Sequence, residues 1–271
     1  MTAETGKPNA NKKTMCLIFL SWQQDSTRPL IVAANRDEFF ARPTLAAHFW
    51  HDQPEILGGR DQEYGGSWLA IQRNGRFAAV TNLREVPAEG ERSRGQLVQD
   101  FLLSQQDSAA FLAELEPEKN DYRPFNLAVC DGHTLAYSNN IAAGFKTLER
   151  GQYVLGNIAL TQQNPKTQLA QRDLAKLSGS TYSREALFSM LMDDTITTQS
   201  EDDFDRVLST RFVRSPEYGT RSSCVVFQHR DGRQEFWERN YGNEQRPLAT
   251  HYFSLSEGGE IIAEAITKED G

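Results

Sequence analysis

The 271-residue chain has few cysteines: Cys16, Cys130 and Cys224 only. Their number is odd and none forms a C-x-x-C pair, which argues against a disulfide framework and a cysteine zinc site. A reducing compartment, the cytoplasm, is the expected location. Long apolar runs are also missing, so no membrane span is expected. An excess of positive charge is missing too, with 29 Lys and Arg against 37 Asp and Glu. The formal net charge of −8 excludes general nucleic-acid binding, which rests on a basic surface. The first residues lack an apolar h-region and so do not form a secretory signal. Residues 1–14 are polar and read as a disordered extension.

What is present is an ordinary mixture, 38% hydrophobic and 24% charged, in a chain long enough for one large core. No linker or repeat interrupts Met15 to Ser256, so residues 15–256 read as one domain. Residues 257–271 read as a peripheral tail, with a short helix expected over the apolar patch of Ile261, Ile262, Ala263, Ala265 and Ile266. Asn74-Gly75, Asp131-Gly132 and Asp231-Gly232 each lie between apolar runs and predict hairpins with two-residue type I′ turns. Helical periodicity falls between the hairpins, over Ser93 to Leu103 (Ser93 as cap), Ala109 to Leu115, Lys166 to Leu177, Ser183 to Met192 and Glu201 to Leu208. Phe39 to Tyr64, broken by Pro43 and Pro54, reads as a long functional loop. Antiparallel strand pairs with helices between them, several strands apolar on both faces, predict an α+β protein of stacked layers.

The chemistry concentrates at two strands. One begins Met15-Cys16-Leu17-Ile18. The next, Leu30-Ile31-Val32-Ala33, runs into Ala34-Asn35-Arg36-Asp37-Glu38. Pairing them brings Cys16 beside Asn35, Arg36 and Asp37. A thiol next to a guanidinium and a carboxylate is a candidate nucleophile, because the cation stabilises the thiolate. The same cysteine also fits a small buried hydrophobe, and the same Arg–Asp pair fits a structural ion pair.

Further segments give the pattern a family. Ala34-Asn35-Arg36-Asp37-Glu38-Phe39, Arg42-Pro43-Thr44, Gly65-Gly66-Ser67-Trp68-Leu69, Thr81-Asn82-Leu83-Arg84, Ser93-Arg94-Gly95, Phe125-Asn126-Leu127 and Tyr218-Gly219-Thr220-Arg221-Ser222-Ser223 follow Met15-Cys16-Leu17-Ile18 in order. The set resembles the NRDE family, also called the transport and Golgi organisation 2 family. One segment departs: Gly156-Asn157 and Asn164-Pro165-Lys166 stand where the family has Leu-Ser-Asn and Trp-Pro-Lys, so the Trp is lost. The family in turn resembles the N-terminal nucleophile hydrolases of the bile-salt hydrolase and penicillin V acylase branch. That likeness implies a four-layer αββα sandwich of two antiparallel sheets.

By that resemblance Cys16 matches the nucleophile, with its own α-amine as base. Arg36 and Asp37 match the groups that hold thiolate and amine. Asn82 matches an oxyanion-hole donor, Asn157 a second Asn of the site, and Arg221 a late Arg near the nucleophile. The bland counterparts are a turn cap for Asn82 and a loop anchor for Arg221. A free amine at Cys16 requires either a start at Met15 or cleavage of the extension. The implied activity is cysteine-dependent attack on an amide or thioester, with a small acyl ligand and no cofactor. The alternative is a non-turnover protein that binds and moves haem or acyl-CoA and lipid. Haem enters only as a ligand, and no metal site is expected. His48 and His51, beside Trp50, read as surface or packing before they read as ligands. Glu201, Asp202, Asp203 and Asp205 read as a solvated helix face, and Cys130 and Cys224 as core.

Overall fold

The computed structural model describes residues 16–84, 90–177, 181–244 and 246–268. The expected disordered extension, 1–14, lies outside them. In chain order the strands are β1 (Cys16–Trp22), β2 (Leu30–Phe39), β3 (Thr44–Phe49), β4 (Ile56–Asp61), β5 (Leu69–Gln72), β6 (Phe77–Asn82), β7 (Phe125–Cys130), β8 (Leu135–Asn139), β9 (Phe145–Thr147), β10 (Gly151–Leu155), β11 (Tyr218–Gln228), β12 (Gln234–Tyr241), β13 (Pro247–Leu255) and β14 (Ile261–Lys268). The helices are α1 (Gly95–Leu103), α2 (Ser108–Leu115), α3 (Pro165–Leu174), α4 (Arg184–Leu191) and α5 (Asp203–Leu208). Two seven-stranded antiparallel sheets result, ordered β10-β1-β2-β11-β12-β13-β14 and β3-β4-β5-β6-β7-β8-β9.

The expected αββα sandwich is what forms. Strand residues alternate between faces. Ile18, Leu20, Val32, Ala34 and Val226 of the first sheet meet Leu69, Ile71, Phe77 and Ala128 of the second. The opposite face of the first sheet (Leu17, Phe19, Ile31, Ala33) packs on α3 and α4 through Leu174, Leu187 and Leu191. The outer face of the second sheet packs on α1 and α2 through Val98, Phe101 and Leu112. Burial on both faces explains why these strands read as continuous apolar runs. Each fully buried Leu or Phe contributes roughly 1.5–3 kcal/mol. One polar staple joins the layers: Glu238 on β12, fully buried, accepts the Ala47 backbone N–H of β3 at 2.7 Å and the Asn240 side-chain amide at 2.9 Å.

Four local expectations are corrected. Phe39 to Tyr64 is not a long loop; it holds β3 and β4, with Trp50 fully buried between them. A register shift between Leu45 and His48 breaks the alternation that would have marked β3 as a strand. The C-terminal patch is not a helix. It is β14, an edge strand paired with β13, and so belongs to the sandwich. None of the three turns is type I′, because only their glycines, Gly75, Gly132 and Gly232, have positive φ. At Gly75 and Gly232 the glycine N–H closes on the carbonyl three residues back (Gln72, His229), which is a type I turn followed by a left-handed glycine; at Gly132 it takes the first central position of a type II′ turn. Ser93 is not the side-chain cap of α1, whose cap residue is Arg94 with no side-chain capping bond. Ser183 does cap α4, accepting the Ala186 N–H.

Candidate functional site

β1 and β2 pair so that Cys16 lies opposite Arg36. Parity then sorts the neighbouring side chains. Cys16, Arg36 and Glu38 continue the face of Ile18 and Ala34 that points between the sheets. Asn35 and Asp37 continue the face of Ala33, toward the helices. Asn35 is held on that side and does not join the cysteine, whereas Asp37, nearer the open end of the strand, still borders the cleft. The Asn35 side chain donates to the Leu191 and Arg211 carbonyls, both at 2.8 Å, and accepts the Ser223 hydroxyl at 2.6 Å, tying the sheet to its helical cover.

At the open end of the sandwich the inter-sheet face becomes a cleft. Cys16, Arg36 and Asp37 line it from the first sheet, Trp68 and Asn82 from the second, and Arg94 from the start of α1. A second cavity lies on the other side of Cys16, walled by Arg84, Asn157, Asn164 and Lys166. Cys16 is half-buried and stands between the two.

Asn157 is the hinge of this arrangement. Its Oδ1 accepts the Cys16 backbone N–H at 3.2 Å and its Nδ2 donates to the Asn82 carbonyl at 2.9 Å. The segment carrying it is held from the second sheet. Thr81 Oγ1 donates to the Gly156 carbonyl at 2.6 Å. The Asn126 amide donates to the Gly156 and Ile158 carbonyls at 3.1 and 3.0 Å. Tyr137 donates its hydroxyl to Asn126 Oδ1 at 2.5 Å and accepts from the Leu160 N–H at 3.0 Å. A satisfied buried network of this kind fixes geometry.

The charges around the cysteine are incompletely matched. Burial pushes the Cys16 thiol up to about 11, and the negative charge of Asp37 adds to the push, against opposing pulls from the Asp37 backbone N–H and from Arg36. Asp37 is buried and is itself pushed up to about 6 by desolvation, although Lys166, the Thr220 hydroxyl and Arg36 pull it down. Thr220 donates to Asp37 Oδ1 at 2.7 Å, while Oδ2 has no hydrogen-bond partner among the described residues. Lys166 is buried, donates to the Leu208 carbonyl at 3.3 Å, and is brought down to about 8 by burial against the pull of Asp37. Arg36 stacks 4.6 Å over the Trp68 ring and lies 3.7 Å from Glu38. Perturbed carboxylate and amine in the two cavities that meet at a perturbed thiol mark a candidate site.

Of the residues singled out in the sequence, Cys16, Arg36, Asp37, Asn82 and Asn157 come together. Arg221 stands apart. Its Nη1 donates to the carbonyls of Phe39, Phe40 and Arg42 at 2.9, 3.1 and 3.2 Å, anchoring the chain after β2. His48 and His51 line neither cavity; His48 Nδ1 bonds the Ala46 carbonyl at 2.7 Å. Lys166 and Arg94 were not assigned roles from the sequence. Lys166 directly follows the Pro that starts α3, inside a capping box of Asn164 and Thr167, and that box is the one local signal that fixes its place.

A four-layer αββα sandwich of two antiparallel sheets is the fold of the N-terminal nucleophile hydrolases. A solved structure of a Caenorhabditis elegans N-acylethanolamine-hydrolyzing acid amidase ortholog shares it, with a TM-score of 0.51 and 11% identity over 78% of this chain and 92% of that one. Residues 15–243 match the Transport and Golgi organisation 2 family, and the chain belongs to that family. A Bos taurus transport and Golgi organization protein 2 homolog is 34% identical over 274 residues, 89% of this chain and 99% of its own. A Homo sapiens homolog is 32% identical over 259 residues, 83% of this chain and 93% of its own. No helix among the described residues is long and apolar enough to cross a membrane.

Proposed function

We propose that Cys16 is the nucleophile of an acyl-transfer or hydrolytic reaction on an amide or thioester, and that it works when its own nitrogen is a free amine. The observation that carries this reading is the position of Cys16. It is the first residue of β1, half-buried between two cavities, with its nitrogen held by Asn157. With a peptide nitrogen the thiol, pushed up by burial and by Asp37, stays protonated near pH 7. An α-amine titrates at roughly 8, close to the optimum for a base at neutral pH. The amine takes the thiol proton and the sulfur attacks the carbonyl carbon. The C–N or C–S bond breaks, the leaving amine or thiol takes that proton, and water then hydrolyses the acyl-cysteine to a carboxylic acid and free thiol. In this reading Asn82, which lines the cleft beside Cys16, donates its side-chain amide to the developing oxyanion, and Asn157, whose Nδ2 donates to the Asn82 backbone carbonyl, holds the Cys16 nitrogen.

The test uses a chain whose first residue is Cys16 and a panel of amides and acyl thioesters, read by intact mass. The reading requires an acyl increment on Cys16 that disappears with time as product forms, and none in Cys16→Ala. Ligand binding without any increment across the panel rejects turnover and leaves the binding-and-trafficking function, whose probe is a haem or acyl-CoA titration with and without Cys16→Ala.

A further inference from the structure

The cleft beside Cys16 has more cation than its own carboxylates consume. Arg36 and Arg42 face Glu38 at 3.7 and 3.5 Å, and Arg42 also pairs with Asp61. Two further guanidiniums line the same cleft, Arg94 and Arg123. Both are half-buried. Among the described residues neither has a carboxylate within ion-pair distance. Arg123 donates to the Tyr64 hydroxyl at 3.3 Å and stacks 5.0 Å over its ring, and neither contact neutralises its charge. Arg94 and Arg123 repel each other, and burial brings Arg94 down to about 10, which leaves it charged at neutral pH. An unpaired, partly desolvated pair of like charges is costly to hold unless something answers it.

The fold spends close backbone packing to put Arg94 there. The Ser67 N–H donates to the Gly95 carbonyl at 3.2 Å. A Cβ on Gly66 would lie 2.4 Å from the Gly95 carbonyl carbon, so only glycine lets the two segments approach. Arg94, one residue earlier at the start of α1, is thereby fixed against the cleft wall. The helix adds its positive N-terminal end to the same place.

We propose that Arg94 and Arg123 form a subsite for an anionic group, a carboxylate or a phosphate, carried by the molecule that reacts at Cys16. This names the substrate class for the proposed nucleophile and rests on Cys16 being the reacting group, though not on turnover. Guanidiniums bind both oxyanions through paired N–H donors. A chain of net charge −8 repels anions at long range, so any preference for an anionic reagent must come from the cleft itself.

The test alkylates the full chain with iodoacetate and with iodoacetamide at one pH, with site-resolved mass spectrometry. The ratio of the two rates cancels the thiolate fraction. Cys130 and Cys224, fully buried, are resolved by peptide. The expected ratio at Cys16 is about fivefold above that of the same peptide in urea, the size of one partly screened ion pair. Arg94→Gln with Arg123→Gln should return it to the urea value, and Arg94→Lys should keep most of it; Arg172→Gln, an exposed charge on α3, should leave it unchanged. Inorganic phosphate that protects Cys16 from iodoacetate at lower concentration than acetate identifies a phosphate site, and the reverse order a carboxylate site. A wild-type ratio equal to the urea value overturns the proposal, as does a raised ratio that survives both glutamines in chains that still unfold cooperatively. Failure of acyl turnover with the alkylation preference intact would count against the nucleophile's catalysis and not against the subsite.

Discussion

The β1–β2 hairpin carries a buried aspartate at each end, and the two are built oppositely. At the closed end Asp25 accepts from the Thr27 N–H and hydroxyl at 2.8 and 2.7 Å and from the Arg28 N–H and side chain at 3.0 and 2.9 Å. Burial acts to raise its pKa, but the Thr27 and Arg28 hydrogen bonds win and hold it at about 2. At the open end Asp37 has one hydroxyl donor and an orphaned oxygen, and desolvation lifts it to about 6. One carboxylate stabilises a turn. The other is kept short of partners beside a thiol and a buried amine, which is how sites are distinguished from struts.

The sharpest way to break this comparison is at Cys16. Cys16→Ala should abolish acyl adduct formation in a chain starting at that position while changing stability by less than about 1 kcal/mol, since the substitution removes one small atom at the edge of a cavity and keeps the backbone hydrogen bond to Asn157. A large drop in melting temperature would make the open end structural too. At the closed end, Asp25→Ala should cost about 3 kcal/mol in denaturant unfolding, because four donors lose their acceptor. The low pKa of Asp25 means that its contribution is complete above about pH 4 and fades as pH falls toward 2. Cys16 reactivity should survive the substitution under native conditions.

Asp37→Asn should do the reverse. The folded chain binds the Asp37 proton more tightly than the unfolded chain does, so this group lowers stability as pH rises from about 4 through 6. The amide keeps an acceptor for Thr220, and the variant should be more stable than wild type by about 2 kcal/mol at pH 8 and no more stable at pH 4. It should also slow acylation, a trade expected at a functional site. Equal stability at both pH values would mean that Asp37 is as well satisfied as Asp25. The smallest effect is expected at Arg221, a satisfied group at the open end. Arg221→Lys should cost about 1 kcal/mol through its carbonyl contacts and leave acylation unaltered; slowed acylation would return it to the site.

The layers and the pairing of Cys16 with Arg36 were legible because two-sided burial writes itself as apolar runs, and because Gly75, Gly132 and Gly232 mark turns that need a left-handed or mirror-image backbone. β3 was hidden by its bulge. β14 was misread because an edge strand with one neighbour leaves Ile262 and Ile266 exposed, so no clean alternation appears. At the site, Cys16, Asp37, Asn82 and Asn157 were found through the ordered family segments. Arg94 and Lys166 lie in quoted segments too, Ser93-Arg94-Gly95 and Asn164-Pro165-Lys166, but nothing in those segments gave either side chain a role. A basic residue at the start of a helix reads as solvated, and their surroundings, Asp37 of β2, the Gly66-Ser67 segment and the 208–211 segment, are all distant in sequence.

The most direct test is the pH dependence of Cys16 acylation by a small thioester, compared between the full chain and a chain that begins at Cys16. With a peptide nitrogen, the rate should climb only toward the thiol value of about 11. With a free amine, the rate should rise and level off at or below roughly pH 8, following the α-amine. Identical profiles for the two chains would contradict the central claim that the freed nitrogen of Cys16 is the base that turns this cleft into a reactive site.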